Sequence, residues 1–98
     1  MSAYLQIDLD ITKLEGFMEY ARPIPVLINK HDGRYIVQGV EPTIIEESGN
    51  IPQRSVILEF PSRQAAESFL KERANSDLHQ IWSETTRGRI LVLERNSE

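Results

Sequence analysis

From Ala3 to Leu9 the chain alternates: Ala3, Leu5, Ile7 and Leu9 fall on one parity, Tyr4, Gln6 and Asp8 on the other. A period of two is the mark of a strand with one dry face and one wet face. The rhythm then changes to helical spacing, with Leu14, Phe17, Met18 and Ala21 on one side. Thr12 followed by Glu15 three positions later predicts a capping box and a helix starting at Lys13. Pro23 and Pro25 remove backbone donors and disfavour helical geometry before them, so a break is expected near Arg22. A restart with Pro25 in the first turn would bury Val26, Leu27 and Ile28. Asp32-Gly33 reads as a turn and residues 34–39 as a second strand, Tyr35 and Val37 opposing Ile36 and Gln38.

Residues 40–53 hold Pro42, Glu46, Glu47, Ser48, Gly49, Asn50 and Pro52, the composition of an exposed, mobile connection with at most a short extended piece at residues 43–45. Residues 54–60 form a third strand, stopped by Pro61, and Ser62 supplies a cap for a helix marked by Ala65, Ala66, Phe69 and Leu70. Asn75-Ser76-Asp77 interrupts it. Leu78, Ile81, Trp82 and Thr85 resume the helical spacing, Gly88 reads as the residue just past the helix end, and residues 90–93 form a fourth strand. The order is β-α-β-β-α-β, a ferredoxin-like α+β sandwich with both helical segments on one face of an antiparallel sheet. In the third strand Val56, Leu58 and Phe60 oppose Ile57, and in the fourth Ile90, Leu91, Val92 and Leu93 are apolar on both parities. The face without helices therefore needs a cover, and a second copy packed sheet to sheet predicts a homodimer.

Length and charge narrow the class. Ninety-eight residues, 40% apolar and 27% charged, make one domain of residues 1–98. Eleven basic against fifteen acidic residues leave a net charge of −4, which removes the attraction that nucleic acid or an anionic membrane would need. The absence of cysteine excludes disulfides, thiolate nucleophiles and cysteine-based metal sites and fits a reducing cytoplasm. Asp8, Asp10, Glu15 and Glu19 near the start argue against a signal peptide or membrane span there.

The run Val56-Ile57-Leu58-Glu59-Phe60-Pro61-Ser62, followed by Ala65-Ala66 and Phe69, resembles the hallmark of the domain-of-unknown-function family 1330. Ala3-Tyr4-Leu5, Tyr20, Pro25, Gly33-Arg34-Tyr35-Ile36-Val37, Gly39, Arg54 and Leu91-Val92-Leu93-Glu94 follow in that family's order, so the resemblance covers residues 4–94. It implies a dimeric α+β barrel, a fold shared by cofactor-free monooxygenases, muconolactone isomerase-like enzymes, haem-dependent enzymes and proteins with no assigned activity. Fold carries over and chemistry does not. The chain departs from the family where Asp32-Gly33 replaces two glycines and Gln38-Gly39-Val40 replaces Arg-Gly-Gly. It departs again where Arg73-Ala74-Asn75-Ser76 replaces Ser-Pro-Glu-Tyr, and where Ser83 stands near a usual arginine.

The chemistry-bearing residues are few. His31 and His79 belong to no metal-binding spacing, and no metal or cofactor is expected. His31 reads as a solvated residue at a helix end, and His79, beside the stripe of Leu78, Ile81 and Trp82, as a packed residue or a proton shuttle. Asp8 and Glu59 lie on the two central strands, either as members of ion pairs with Arg34 or Arg54 or as carboxylates lining a cavity. Tyr20, Arg22 and Trp82 are placed to surround an aromatic or acidic small molecule. No nucleophile elbow and no glycine-rich phosphate loop can be written. Two readings follow: a dimer that binds a small molecule or serves only through its surface, or a small cofactor-free enzyme acting on an organic acid or aromatic. Any small ligand is expected between sheet and helices. His79 and Asp8 are then the candidate catalytic residues, and Tyr20, Trp82, Glu59 and Arg54 the candidate binding residues.

Overall fold

The computed structural model describes residues 2–46, 49 and 51–95. The chain runs β1 (Ala3–Ile11), α1 (Leu14–Ala21), α2 (Ile24–Lys30), β2 (Arg34–Val40), β3 (Arg54–Phe60), α3 (Arg63–Ala74), α4 (Asp77–Thr85) and β4 (Thr86–Glu94). The strands form one antiparallel sheet in the order β2-β3-β1-β4. This is the ferredoxin-like α+β arrangement expected from the sequence, with each of its two helices broken into a pair.

Register decides which residues meet the helices. Leu5 stands between Leu58 and Val92, and Ile7 between Val56 and Ile90, so one parity of all three strands points the same way. Ala3, Leu5, Ile7, Leu9, Leu58 and Phe60 are buried there beneath Tyr20, Ile24, Ile28, Ala66 and Phe69 of the helices. Phe60 and Phe69, with ring centroids 5.2 Å apart, join β3 to α3. On the other face Ile57 is half-buried, and Leu91 and Leu93 are 39% and 45% exposed. No helix is long and apolar enough to cross a membrane among the described residues.

Local chemistry explains the helix starts. The Ser62 hydroxyl accepts the Ala65 N–H at 3.1 Å, as expected for the α3 cap, and Ser76 accepts the Leu78 N–H at 3.2 Å at the start of α4. Such caps are each worth about 1 kcal/mol. Pro25 sits in the first turn of α2, where a missing N–H costs nothing.

Four expectations are corrected. Thr12 makes no capping box: the Thr12 and Lys13 amides both bond the Thr85 carbonyl, at 2.8 and 3.3 Å, which extends the strand path past Ile11 and makes Lys13 the residue before the helix. In α2 the buried residues are Ile24 and Ile28, while Val26 points to solvent, because the restart begins one residue before Pro25 and sets the helix phase. Gly88 does not end a helix. It lies inside β4 opposite Leu9, where a Cβ would collide with the Asp8 carbonyl oxygen, so the strand begins at Thr86 and needs glycine for close pairing. Residues 43–45 form no strand. Of the predicted turn at residues 48–50, Ser48 and Asn50 lie outside the described residues, as does Glu47 of the connection.

Candidate functional site

Between sheet and helices the packing leaves a cavity of about 210 Å³. Its floor is Ile7 and Leu9 of β1, Val56 and Leu58 of β3 and Ile90 of β4, and Ile24, Ile28 and Phe69 wall it from above. Pro25 and Gln38 are the exposed members of the lining, which places the mouth between α2 and β2. Among the described residues Arg73 is the one charged residue in the lining.

Arg73 enters the cavity because of its position on α3. Ala66 and Phe69 are buried, and Arg73 follows at the same helical spacing, so the helix turns it inward with them. It is 5% exposed. Its Nε donates to the Tyr20 hydroxyl at 2.7 Å, and its guanidinium carbon lies 5.5 Å from the Tyr20 ring centre and 5.1 Å from that of Trp82. Cation–π attraction of this kind contributes about 2 kcal/mol when desolvated. Tyr20 and Trp82 are themselves 5.2 Å apart, and Phe17 stacks on Tyr20 at 5.9 Å. Gly16 permits this approach of α1 to α4, since a Cβ there would stand 2.8 Å from the Thr85 methyl.

The electrostatics of the cluster are unbalanced. Among the described residues no carboxylate lies within ion-pair distance of Arg73, and its Nη2 is buried with no hydrogen-bond partner. A guanidinium is a cation, so the site carries a positive charge. Burial pushes the Tyr20 phenol above its ordinary pKa, with Arg73 pulling the other way. Burial also raises the Tyr35 phenol, helped by Tyr20. Both phenols are therefore neutral hydrogen-bonding groups at neutral pH.

The sequence-predicted site residues divide. Tyr20 and Trp82 line the cavity as expected. Asp8 and Glu59 are on the opposite face of the sheet, because their parity is that of Tyr4 and Ile57. Asp8 is 6% exposed and accepts from Ser55 Oγ at 3.1 Å and Arg89 Nε at 3.2 Å. Glu59 accepts from Arg34 Nε at 2.7 Å, which holds its carboxyl below the usual range with help from Tyr4. Arg54 is exposed and donates from Nη1 to the Gly39 carbonyl at 3.1 Å, fastening the end of β2. His79 is exposed on α4 and does not reach the cavity: Leu78, Ile81 and Trp82 take the inward positions and leave it on the outer side. His31 is half-buried, not solvated, with Nε2 3.0 Å from Glu72. Among the described residues no group of three or more His, Asp or Glu is placed to hold a metal ion.

Comparison with known proteins supports the fold. The family model described as domain of unknown function (DUF1330) matches residues 2–96. The crystal structure of RPA0582, a protein of unknown function from Rhodopseudomonas palustris, is similar at a TM-score of 0.76 and 13% identity, over 99% of this chain and 84% of that one. The de novo designed protein Foldit4 is similar at a TM-score of 0.64 and 7% identity, over 98% of this chain and 100% of that one. SnoaB, a cofactor-independent oxygenase from Streptomyces nogalater, is similar at 0.52 and 7% identity, over 99% of this chain and 93% of that one. At such identities the likeness establishes the fold alone. No curated protein matches the chain. With a family match that runs through every strand and helix described above, the chain belongs to the DUF1330 family.

Proposed function

We propose that the protein binds a small, largely apolar molecule in the cavity between sheet and helices. The observation that carries this reading is a cavity under the helices, opening between α2 and β2, walled by aliphatic and aromatic side chains and joined by a few polar groups. An apolar void of about 150 Å³ accommodates benzene, so this one suits a single ring or a short chain. Binding is favoured over proton-transfer catalysis by the lining itself. Its titratable groups are Tyr20, Tyr35 and Arg73, and the candidate acid–base residues His79 and Asp8 lie elsewhere. Thermal denaturation in the presence of small aromatic compounds tests the reading. A ligand should raise the melting temperature of the native protein and leave a folded Val56→Phe variant, in which the cavity is filled, unchanged. An equal shift in both would remove the cavity from consideration.

The outer face of the sheet supports a homodimer as the working form. Ile57, Leu91 and Leu93 share that face with Tyr4 and carry no helix. A self-complementary contact through this surface gives each protomer its missing second layer. Light scattering at micromolar concentration should return twice the chain mass; a value of 11.3 kDa would place the protein as a monomer.

A further inference from the structure

Resting on the reading of the cavity as a binding site, we infer that its ligand is an organic monocarboxylate. The carboxylate is held by the free edge of Arg73 and the apolar or aromatic body lies on the sheet floor. Among the described residues Arg73 is a buried cation with no counter-charge, a costly arrangement unless something supplies one. Its surroundings specify where that partner comes from. Tyr20 and Trp82 lie against the guanidinium, and Nε is already committed to the Tyr20 hydroxyl. What remains is the terminal edge, including the unpartnered Nη2, and that is the part of the fork that matches a carboxylate.

Charge and size restrict the class further. One cation in an apolar enclosure neutralises one negative charge, so a dianion such as a phosphate monoester would leave a second charge buried and unpaired. A neutral amide would leave the guanidinium without its counter-ion. A volume of about 210 Å³ fits one ring with a short acid arm, and a longer body would have to extend out through the mouth between α2 and β2.

Trp82, the only tryptophan, touches Arg73 and reports binding through its fluorescence. Benzoate, phenylacetate and hexanoate are titrated against their neutral amides, using the native protein and Arg73→Met. The native protein should prefer each acid that binds by about ten- to a hundredfold over its amide, the range for hydrogen bonds to a charged group. Arg73→Met should lose that preference and retain amide binding. Equal affinity for acid and amide in the native protein would overturn the monocarboxylate inference and leave the cavity reading standing. No binding by any of the six compounds would overturn both. A readout independent of the variant's folding is the pH profile of the native protein. Acid binding should weaken as pH falls through the probe's own carboxyl pKa while amide binding stays level, and parallel profiles would overturn the inference.

Discussion

Two charged side chains are buried on opposite faces of the same sheet to nearly the same degree, Arg73 at 5% exposure and Asp8 at 6%. Asp8 is satisfied from within: Ser55 and Arg89 come from the neighbouring strands β3 and β4, each paired directly to it across β1. Among the described residues Arg73 has the Tyr20 phenol and the Tyr20 and Trp82 rings beside it but no anion. Equal burial thus conceals different roles. A charge whose partners are its ladder neighbours belongs to the architecture of the sheet. A charge at the wall of an apolar cavity with an idle donor is directed at something that arrives from outside.

The largest test of the two faces uses adjacent residues. Leu58→Asp, on the helix side at 1% exposure, should cost more than about 4 kcal/mol and abolish the cooperative thermal transition. Ile57→Asp, one residue away on the outer face, should leave a folded chain and convert the proposed dimer to monomer in size-exclusion chromatography. Unfolding by Ile57→Asp and tolerance of Leu58→Asp would invert the assignment of faces.

The two buried charges should respond oppositely when removed. Asp8→Ala should destabilise by about 1–2 kcal/mol in chemical denaturation, since it strips two hydrogen bonds from a half-buried cluster. Arg73→Met should leave the ligand-free protein equally stable or raise its stability by about 1–2 kcal/mol, because an uncompensated buried cation is replaced by a side chain of similar length that packs without charge. If Arg73→Met is the more damaging of the pair, the guanidinium is a structural element like Asp8. Ser62→Ala should cost about 1 kcal/mol through the lost α3 cap and leave ligand affinity unchanged.

The smallest expected effect concerns pH. Glu59 and Glu72 have carboxyls held below the ordinary value of 4.5 by side-chain hydrogen bonds, from Arg34 and Tyr4 in one case and from Lys30 and His31 in the other. A depressed folded-state pKa means that their contribution is complete above about pH 4.5 and is lost as pH falls through the folded value. Melting curves should therefore hold level from neutral pH to about 5 and decline below it, with a shallower decline in Glu59→Gln. An unchanged profile in that variant would show that the Arg34 pair contributes nothing measurable.

Much of the fold was legible because each strand announces its period. β3 begins and ends where alternation, Arg54 and Pro61 place it, and Pro25, Ser62 and Ser76 mark breaks and starts with identifiable backbone chemistry. Strand length was harder to read. Gly88 looks like a helix terminator until β1 is beside it, since only the paired strand reveals why a Cβ is forbidden there. The site was half legible. Tyr20 and Trp82 follow from helical spacing, whereas the parity that Asp8 shares with Tyr4 and Gln6 marks a polar face without showing which side the helices cover, and that face is the one away from them. His79 fails for the same reason on a helix, where Leu78, Ile81 and Trp82 leave it no inward direction. Arg73 was missed although a signal existed: it occupies the next inward position after Ala66 and Phe69, and a charge in an apolar stripe is the informative exception.

Small acids that enter the cavity on the helix side should engage Arg73. Nitrogen–proton correlation spectra of the labelled protein, recorded during addition of phenylacetate, test this most directly by reading both faces at once. The Trp82 indole and Arg73 Nε–H signals should move in a saturable way while the Arg89 Nε–H and Ser55 amide signals stay in place. Movement of the Arg89 and Ser55 signals with Arg73 and Trp82 unaffected would contradict engagement of Arg73.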